Sequence, residues 1–208
     1  MQKVNYLKVL TLTMCTLAMG TTLGQTGYEK TITSYRDSID NVFSNPETSI
    51  LPEDHIEEFK GIPYYEINMD FRVEATFKPI DNGKTFEMKT TTDRLPKYRP
   101  YGTLSFKIDG KRYKLTVYQN LQLMENEQYK NYLFIPFTDE TNFETTYSGG
   151  RYLDMTIEEV EADEVVIDFN RSYNPYCAYN SRYSCPIPPS ENHLKTRIEA
   201  GVQYVAHH

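Results

Sequence analysis

The chain has no tryptophan, three cysteines, four histidines and ten glycines among its 208 residues, and no apolar run that would cross a bilayer. A transmembrane helix needs about 20 consecutive apolar residues. The best candidate, Val9 to Met19, covers only about half of a ~30 Å hydrocarbon core at the helical rise and is interleaved with threonines. The histidines, at 55, 193, 207 and 208, show no His-x-x-x-His spacing and the cysteines no Cys-x-x-Cys, so no metal is expected. His55 lies among acidic residues and reads as a surface histidine, and the last two as a chain-end tail. There is no phosphate loop, dinucleotide fingerprint or Gly-x-Ser-x-Gly elbow, and no cofactor is implied. Positive charge is also short: 22 Lys and Arg against 29 Asp and Glu give a net charge of −7. Without a positive field to gather phosphates, nucleic acid is not an expected partner.

Tyrosine is what the chain has in quantity, with 18 Tyr beside 10 Phe. A tyrosine packs its ring on a core while its hydroxyl meets water or a polar partner, which suits strands with one wet face. A hydrophobic share of 39% and a mean hydropathy of −0.61 belong to a water-soluble globular protein. The length suits one domain around one sizeable core.

Residues 1–24 carry only Lys3 and Lys8 as charges, then the apolar run, then Gly20-Thr-Thr-Leu-Gly24 before Gln25. This three-part layout predicts a signal peptide cleaved near Gln25, with small residues at Thr22 and Gly24. It places the mature chain, 25–208, in a secreted or periplasmic setting. A lipid anchor on Cys15 is disfavoured by the bulky Met14 before it. Cleavage leaves Cys177 and Cys185 as the cysteines of the mature chain, and an even count in an exported protein points to a disulfide. Such a bridge, closing a loop of about nine residues, would stabilise the fold by about 2 to 3 kcal/mol on the chain-entropy model. Two rival uses stand beside it. One is a metal site with His193, for which the Cys-x7-Cys spacing is wrong; the other is a reactive thiol, which needs a nearby base and a lowered pKa.

Ile32, Tyr35, Ile39, Val42 and Phe43 recur at helical spacing between Tyr28 and Phe43, and Asn45-Pro46 stops that helix. Pro52 to Phe59 reads as a second, short helix with acids in its first turn. Beyond Ile62 the period changes to two. Phe71, Val73, Ala75 and Phe77 alternate with polar residues, and Asp81-Asn82-Gly83 turns the chain toward Lys84–Met88. Leu104, Phe106 and Ile108 alternate up to Asp109-Gly110, and Tyr113, Leu115 and Val117 alternate after it, which predicts a hairpin with a two-residue turn. Further strands are predicted at Tyr132–Phe137, Arg151–Ile157, Glu164–Phe169 and around Leu194, Thr196 and Ile198. Two helices followed by about nine short strands, without strand–helix alternation, indicate an α+β fold of mainly antiparallel β-structure. The curled sheet would be a partly closed barrel or a two-layer sandwich. The stretch from Tyr173 to Asn192 stands apart as a long loop with four prolines and both late cysteines, either a rigid site wall or a structural lid.

The runs Leu133-Phe-Ile-Pro-Phe-Thr-Asp139, Thr146-Tyr-Ser-Gly-Gly-Arg-Tyr-Leu-Asp154, Asp168-Phe-Asn-Arg-Ser-Tyr-Asn-Pro-Tyr-Cys-Ala-Tyr-Asn180 and Cys185-Pro-Ile-Pro-Pro-Ser-Glu-Asn192 resemble domain of unknown function family 1684. Phe59-Lys-Gly-Ile-Pro-Tyr64 extends the likeness more weakly toward the amino end. Ser148, Phe143 and Val202 depart from the family pattern, where Gly, Gly and an acid are more usual. The resemblance implies uncharacterised secreted or envelope proteins, and no activity.

Gly149-Gly150-Arg151 could let a backbone approach a ligand beside a guanidinium that grips carboxylate or phosphate, and Arg171 could add a second positive group. The candidate ligand-binding residues are Arg151, Tyr152, Asp168, Asn170, Arg171, Asn174, Tyr179, Asn180 and Asn192. Beside this stands a purely structural use, in which Arg151 and Arg171 pair with Asp154, Asp168 or Glu191 to tie the long loop to the sheet. Asp154 and Asp168 are the candidate catalytic pair, as general acid and base. The function favoured is an exported, non-catalytic binding or envelope-associated module, whose Tyr- and Arg-lined pocket takes a small anionic molecule or a polysaccharide or peptide segment. The alternative is a hydrolase using Asp154 or Asp168 with Arg151 and Asn170. A third reading, a structural partner protein, would show an exposed apolar patch instead of a pocket.

Overall fold

The structure, a computed structural model, describes residues 26–204. The segment expected to be a signal peptide, its expected cleavage position and the two terminal histidines lie outside the described residues. The chain divides into two compact units, Met1–Asn41 and Val42–His208. Helix α1 spans 26–44, and the division falls within it. Its stop is the predicted one: the Asn45 carbonyl accepts from the Thr48 and Ser49 amides at 3.0 and 2.8 Å, turning the chain before Pro46 could lengthen the helix. Helix α2, Glu53–Ile56, follows Pro52 and is shorter than the eight residues expected.

Strands β1 (Arg72–Pro79), β2 (Phe86–Glu87), β3 (Lys97–Ile108), β4 (Lys111–Asn120), β5 (Tyr132–Asp139), β6 (Arg151–Thr156), β7 (Val165–Asp168) and β8 (His193–Leu194) make one sheet. Its main path is β6-β5-β4-β3-β1-β7, antiparallel throughout, with β2 beside β3 and β8 parallel to β5. The path curls into a half-barrel. The chain leaving β7 returns to β6, where Tyr152 and Tyr173 exchange backbone hydrogen bonds of 2.9 and 3.0 Å. A continuous curled sheet, and not two layers, is therefore the form taken. Helix α3, Ile157–Val160, links β6 to β7 and is fixed by a capping box between Thr156 and Glu159.

The β3–β4 hairpin has the two-residue turn expected. Ile108 pairs with Lys111, and Asp109 and Gly110 take φ of 50° and 73°. Leu194 and the residues after it do not form the alternating strand predicted there. Only His193–Leu194 pairs with β5, and the carbonyls of 198, 200 and 202 are taken by a buried arginine described below.

The concave face carries the main core: Leu104, Phe106 and Ile108 from β3, Leu115 and Val117 from β4, Leu133, Ile135 and Phe137 from β5, Leu153 and Met155 from β6. The convex face is also covered. Met88, Tyr98, Tyr118, Phe134, Tyr152 and Cys185 form a second buried cluster there, beneath the proline-bearing loop. That loop is pinned by pairing with residues 89–94. The Cys185 carbonyl accepts from the Thr91 amide at 2.9 Å, the Ile187 amide donates to Lys89 at 2.8 Å, and Arg94 Nη2 donates to the Ser184 carbonyl at 2.7 Å. The Tyr152 hydroxyl closes the seam on the Pro186 carbonyl.

Asn192 shows how the loop is built into the sheet. Tyr118 pairs with Phe134, which sets Thr116 across from Pro136, a residue with no N–H to give. The Asn192 carboxamide fills that gap. Its Oδ1 accepts from the Thr116 amide at 2.7 Å, while Nδ2 donates to the Thr116 and Pro136 carbonyls at 2.9 and 2.8 Å. The side chain is fully buried, so each lost partner would leave a dry polar group costing about 1–3 kcal/mol. Asn192→Ala is accordingly expected to destabilise the protein by about 3 kcal/mol in urea unfolding, and Asn192→Asp to fail to rescue it, since the carboxylate lacks the two-way donor.

A second expectation concerns Phe143. It stands at φ 69°, in the left-handed region that bulky residues avoid, with its ring 85% exposed. The ring contributes little burial to offset the backbone strain. Phe143→Gly is expected to raise the unfolding free energy by about 1 kcal/mol, read as a higher urea midpoint at unchanged slope.

Candidate functional site

Arg151 faces inward. It alternates with Leu153 and Met155 on the core side of β6 and has no exposed surface. Its Nη2 donates to Asp139 Oδ2 at 2.7 Å and to the Ile198 carbonyl at 2.8 Å, and Nη1 donates to the Ala200 carbonyl at 2.6 Å and the Val202 carbonyl at 3.3 Å. The Phe137 ring lies against the guanidinium, 5.3 Å from Cζ to the ring centroid. Asp139 is equally buried, and its Oδ1 accepts from the Thr141 amide at 2.8 Å and the Thr141 hydroxyl at 2.6 Å. Both terminal nitrogens are thus engaged with the protein, which leaves no hand for an external anion. The use this arginine serves is structural, but it ties the carboxyl-terminal segment to the end of β5 and not the long loop to the sheet, and its partner is Asp139 and none of the three acids anticipated.

The amide candidates are also ties. Asn170, fully buried, accepts from the Asn68 amide at 2.9 Å and donates to the Asn68 carbonyl at 2.8 Å. Asp168 caps the turn after β7, its Oδ1 accepting from the Asn170 amide at 3.1 Å and from Asn170 Nδ2 at 3.2 Å. Asn174 donates to the Tyr179 hydroxyl at 3.1 Å and to the Gln203 carbonyl at 3.2 Å, while its buried Oδ1 has no protein donor. Tyr179 sets its ring edge-on to Phe43 at 5.0 Å, and Asn180 reaches the Ile50 carbonyl at 2.9 Å.

Asp154 is the exception. It lies on the convex side of β6 and is exposed. The hydroxyls of Tyr132 and Tyr173 both donate to its Oδ1, at 2.6 and 2.7 Å. Its Oδ2 takes no hydrogen bond from the described residues. Desolvation by the surrounding rings raises the carboxyl above its ordinary range, while the two hydroxyls and the Arg171 charge act the other way. Burial, and then the neighbouring carboxylate, push Tyr132 well above the usual phenol range. Burial first and Tyr132 next do the same to Tyr173, so both remain donors. Tyr98 and Tyr176 lie within electrostatic reach of the carboxylate, and Tyr129 within reach of Tyr176. Two of these rings, Tyr129 and Tyr176, are 40% and 46% exposed. The arrangement is an aromatic surface with one carboxylate oxygen free to accept a hydrogen bond.

Of the predicted residues, then, Asp154 and Arg171 come together, with Tyr152 packed edge-on to Tyr173 at 5.8 Å beside them. Asp168 is committed to its cap. Tyr132, Tyr98, Tyr129 and Tyr176 were not singled out by the sequence reading. The signal for Tyr132 was its place in Tyr-Leu-Phe-Ile-Pro-Phe, a strand apolar on both faces, which requires cover on both.

The disulfide expected between Cys177 and Cys185 is not formed in the structure, and this corrects the sequence reading. Both are free thiols, with the Cys177 amide donating to Cys185 Sγ at 3.1 Å. Among the described residues no group of three or more His, Cys, Asp or Glu is placed to hold a metal ion, and no helix is long and apolar enough to cross a membrane.

A family model described as protein of unknown function (DUF1684) matches residues 57–203. An uncharacterized protein of Haloarcula marismortui, solved by solution NMR, is similar at 32% identity and a TM-score of 0.66 over 87% of this chain and 96% of that one. No curated protein matches the chain.

The buried pair sets one expectation. Arg151→Ala strands the Asp139 carboxylate in the core and should cost about 3–5 kcal/mol in chemical unfolding. The Arg151→Ala/Asp139→Ala double variant should lose less than the sum of the singles. Asp154 sets another. Its folded-state pKa is raised, so the stability it contributes is fully present below the unfolded value of about 3.9 and is lost as pH rises through the folded value. Asp154→Asn should therefore flatten the decline in unfolding free energy above about pH 4. Tyr132→Phe, by removing a donor to the carboxylate, should move the carboxyl titration seen by 13C NMR still higher.

Proposed function

The chain belongs to the DUF1684 family of proteins of unknown function, and from its geometry we propose that it is a binding module whose tyrosine-rich convex face takes a segment of a hydroxylated polymer, a saccharide first among them. The observation that carries this is Asp154, exposed among tyrosines, with Oδ1 fixed by two hydroxyls and Oδ2 left to accept. A sugar unit offers C–H faces that pack on aromatic rings and hydroxyls that donate to a carboxylate. The small-anion alternative has lost its main support, because Arg151 is buried and engaged; Arg171 alone remains at the rim. Export, with cleavage before Gln25 and a single mature domain from 25 to 208, is part of the same proposal, and rests on the layout of residues 1–24.

The second reading is hydrolysis, and the raised Asp154 carboxyl is what favours it, since an acid held protonated can donate to a leaving group. Asp168 does not serve as its partner while capping the turn after β7. Thermal shift against neutral oligosaccharides, peptides and organic acids distinguishes the readings. Stabilisation by oligosaccharides that is lost in Tyr176→Ala and in Asp154→Asn, without product release, supports binding. Turnover that Asp154→Asn abolishes while binding persists supports the hydrolase. No stabilisation by any oligosaccharide or peptide overturns both. N-terminal sequencing of the exported chain should begin at Gln25, and an intact Met1 end would overturn the export proposal.

A further inference from the structure

Cys177 and Cys185 are not used by the binding face, yet they are arranged for chemistry. Cys177 follows Tyr176 on a short 3-10 turn and is half-exposed, whereas Cys185 is buried at 6% exposure beneath the same loop. The Cys177 amide donates to Cys185 Sγ at 3.1 Å, which sets the two cysteines side by side. Thr91 and Tyr147 act on the Cys177 thiol to lower it, while Tyr152 lies within electrostatic reach of both cysteines and Arg94 within reach of Cys185. One thiol is therefore partly exposed and lies beside a second that is buried.

We propose that this pair is a reactive dithiol that exchanges with small disulfides, Cys177 attacking and Cys185 resolving. The Cys177 thiolate attacks one sulfur of a disulfide such as oxidised glutathione, forming a mixed disulfide and expelling one glutathione thiolate, which takes a proton from water. Cys185 then gives up its proton to water, and its sulfur attacks Cys177 Sγ. A Cys177–Cys185 bond forms and the second glutathione thiolate leaves. The protein is oxidised by two electrons and oxidised glutathione is reduced to two thiols. The asymmetry has a physical cause: the adjoining Cys185 side chain brings the Cys177 thiol down to about 7, whereas Cys177, with burial, pushes Cys185 up.

Iodoacetamide labelling of the native chain, with peptide mapping to separate Cys15, Cys177 and Cys185, tests the attacking role. Cys177 is expected to react more than about ten-fold faster than Cys185, with its rate half-maximal near pH 7 rather than near the ordinary thiol value of 9. Oxidised glutathione tests the resolving role. The native chain should lose both thiols without retaining glutathione, and Cys185→Ser should accumulate the mixed disulfide at position 177. Equal labelling of the two cysteines, a Cys177 rate that rises only toward pH 9, or a native chain that stops at the mixed disulfide would overturn the proposal.

Discussion

The fold depends on one buried cation. A guanidinium removed from water needs partners, and Arg151 recruits for its two terminal nitrogens the carboxylate that ends β5 and three carbonyls of the run from Ile198 to Val202. The carboxyl-terminal segment, having spent those carbonyls, does not continue the β8 pairing along β5; it meets residues 63–65 through the single Tyr64–Val202 bridge instead. Gly201, at φ 75°, supplies the turn, and its missing Cβ leaves room for Ser172, which a side chain there would meet at 2.1 Å. A buried ion pair is weak evidence for stability in itself, since desolvation offsets much of its attraction. Its value here is in fixing which of several possible paths the last residues take.

The second constraint is Pro136 in the middle of β5. A strand interior with a missing donor would be a defect if left alone, and the neighbouring β4 would lose a partner at Thr116. Asn192 converts the defect into an anchor, because a primary carboxamide offers the same donor and acceptor as the absent peptide group. One end of the proline-bearing loop is thereby fastened to the centre of the sheet. Its other attachments, through residues 89–94 and through Tyr152, hold it flat over the convex aromatic cluster. The loop is a lid in the structural sense, and the rings beyond its rim are the ones left open.

Much of this was legible from period and punctuation. Asp109-Gly110 between two alternating runs fixes a turn and a register, and the helical spacing from Ile32 to Phe43 with Asn45-Pro46 after it fixes a helix and its end. Local signals of that kind depend on neighbours in sequence. The candidate site was less legible because side-chain roles were set by distant partners. Arg151 beside two glycines reads as a grip for an anion until its parity with Leu153 and Met155 is taken seriously, and parity points it into the core. Asn170 and Asn192 read as polar site residues, yet what they contact lies 102 and 76 positions away. No spacing rule reaches that far. The half-barrel, rather than a sandwich, likewise follows from the long-range return of Tyr173 to Tyr152.

Strand β6 sets two different environments on its faces. Residues 151, 153 and 155 look into the core, and 152 and 154 look out under the aromatic surface. The same backbone therefore carries a charge of each sign in opposite circumstances. Arg151 is closed in, with both terminal nitrogens answered and Nε left without a partner among the described residues, so that moving it would unmake the end of the barrel. Asp154 is answered on one oxygen only. β6 is held by β5 on one edge and by the Tyr173 bridge on the other, and the two tyrosine hydroxyls hold the Asp154 carboxylate in place on it. The remaining acceptor stays presented to solvent among rings whose hydroxyls are kept protonated by burial and by the carboxylate itself. A rigid strand that withholds satisfaction from one oxygen makes a better recognition element than a mobile loop, since little ordering is left to oppose a ligand's arrival.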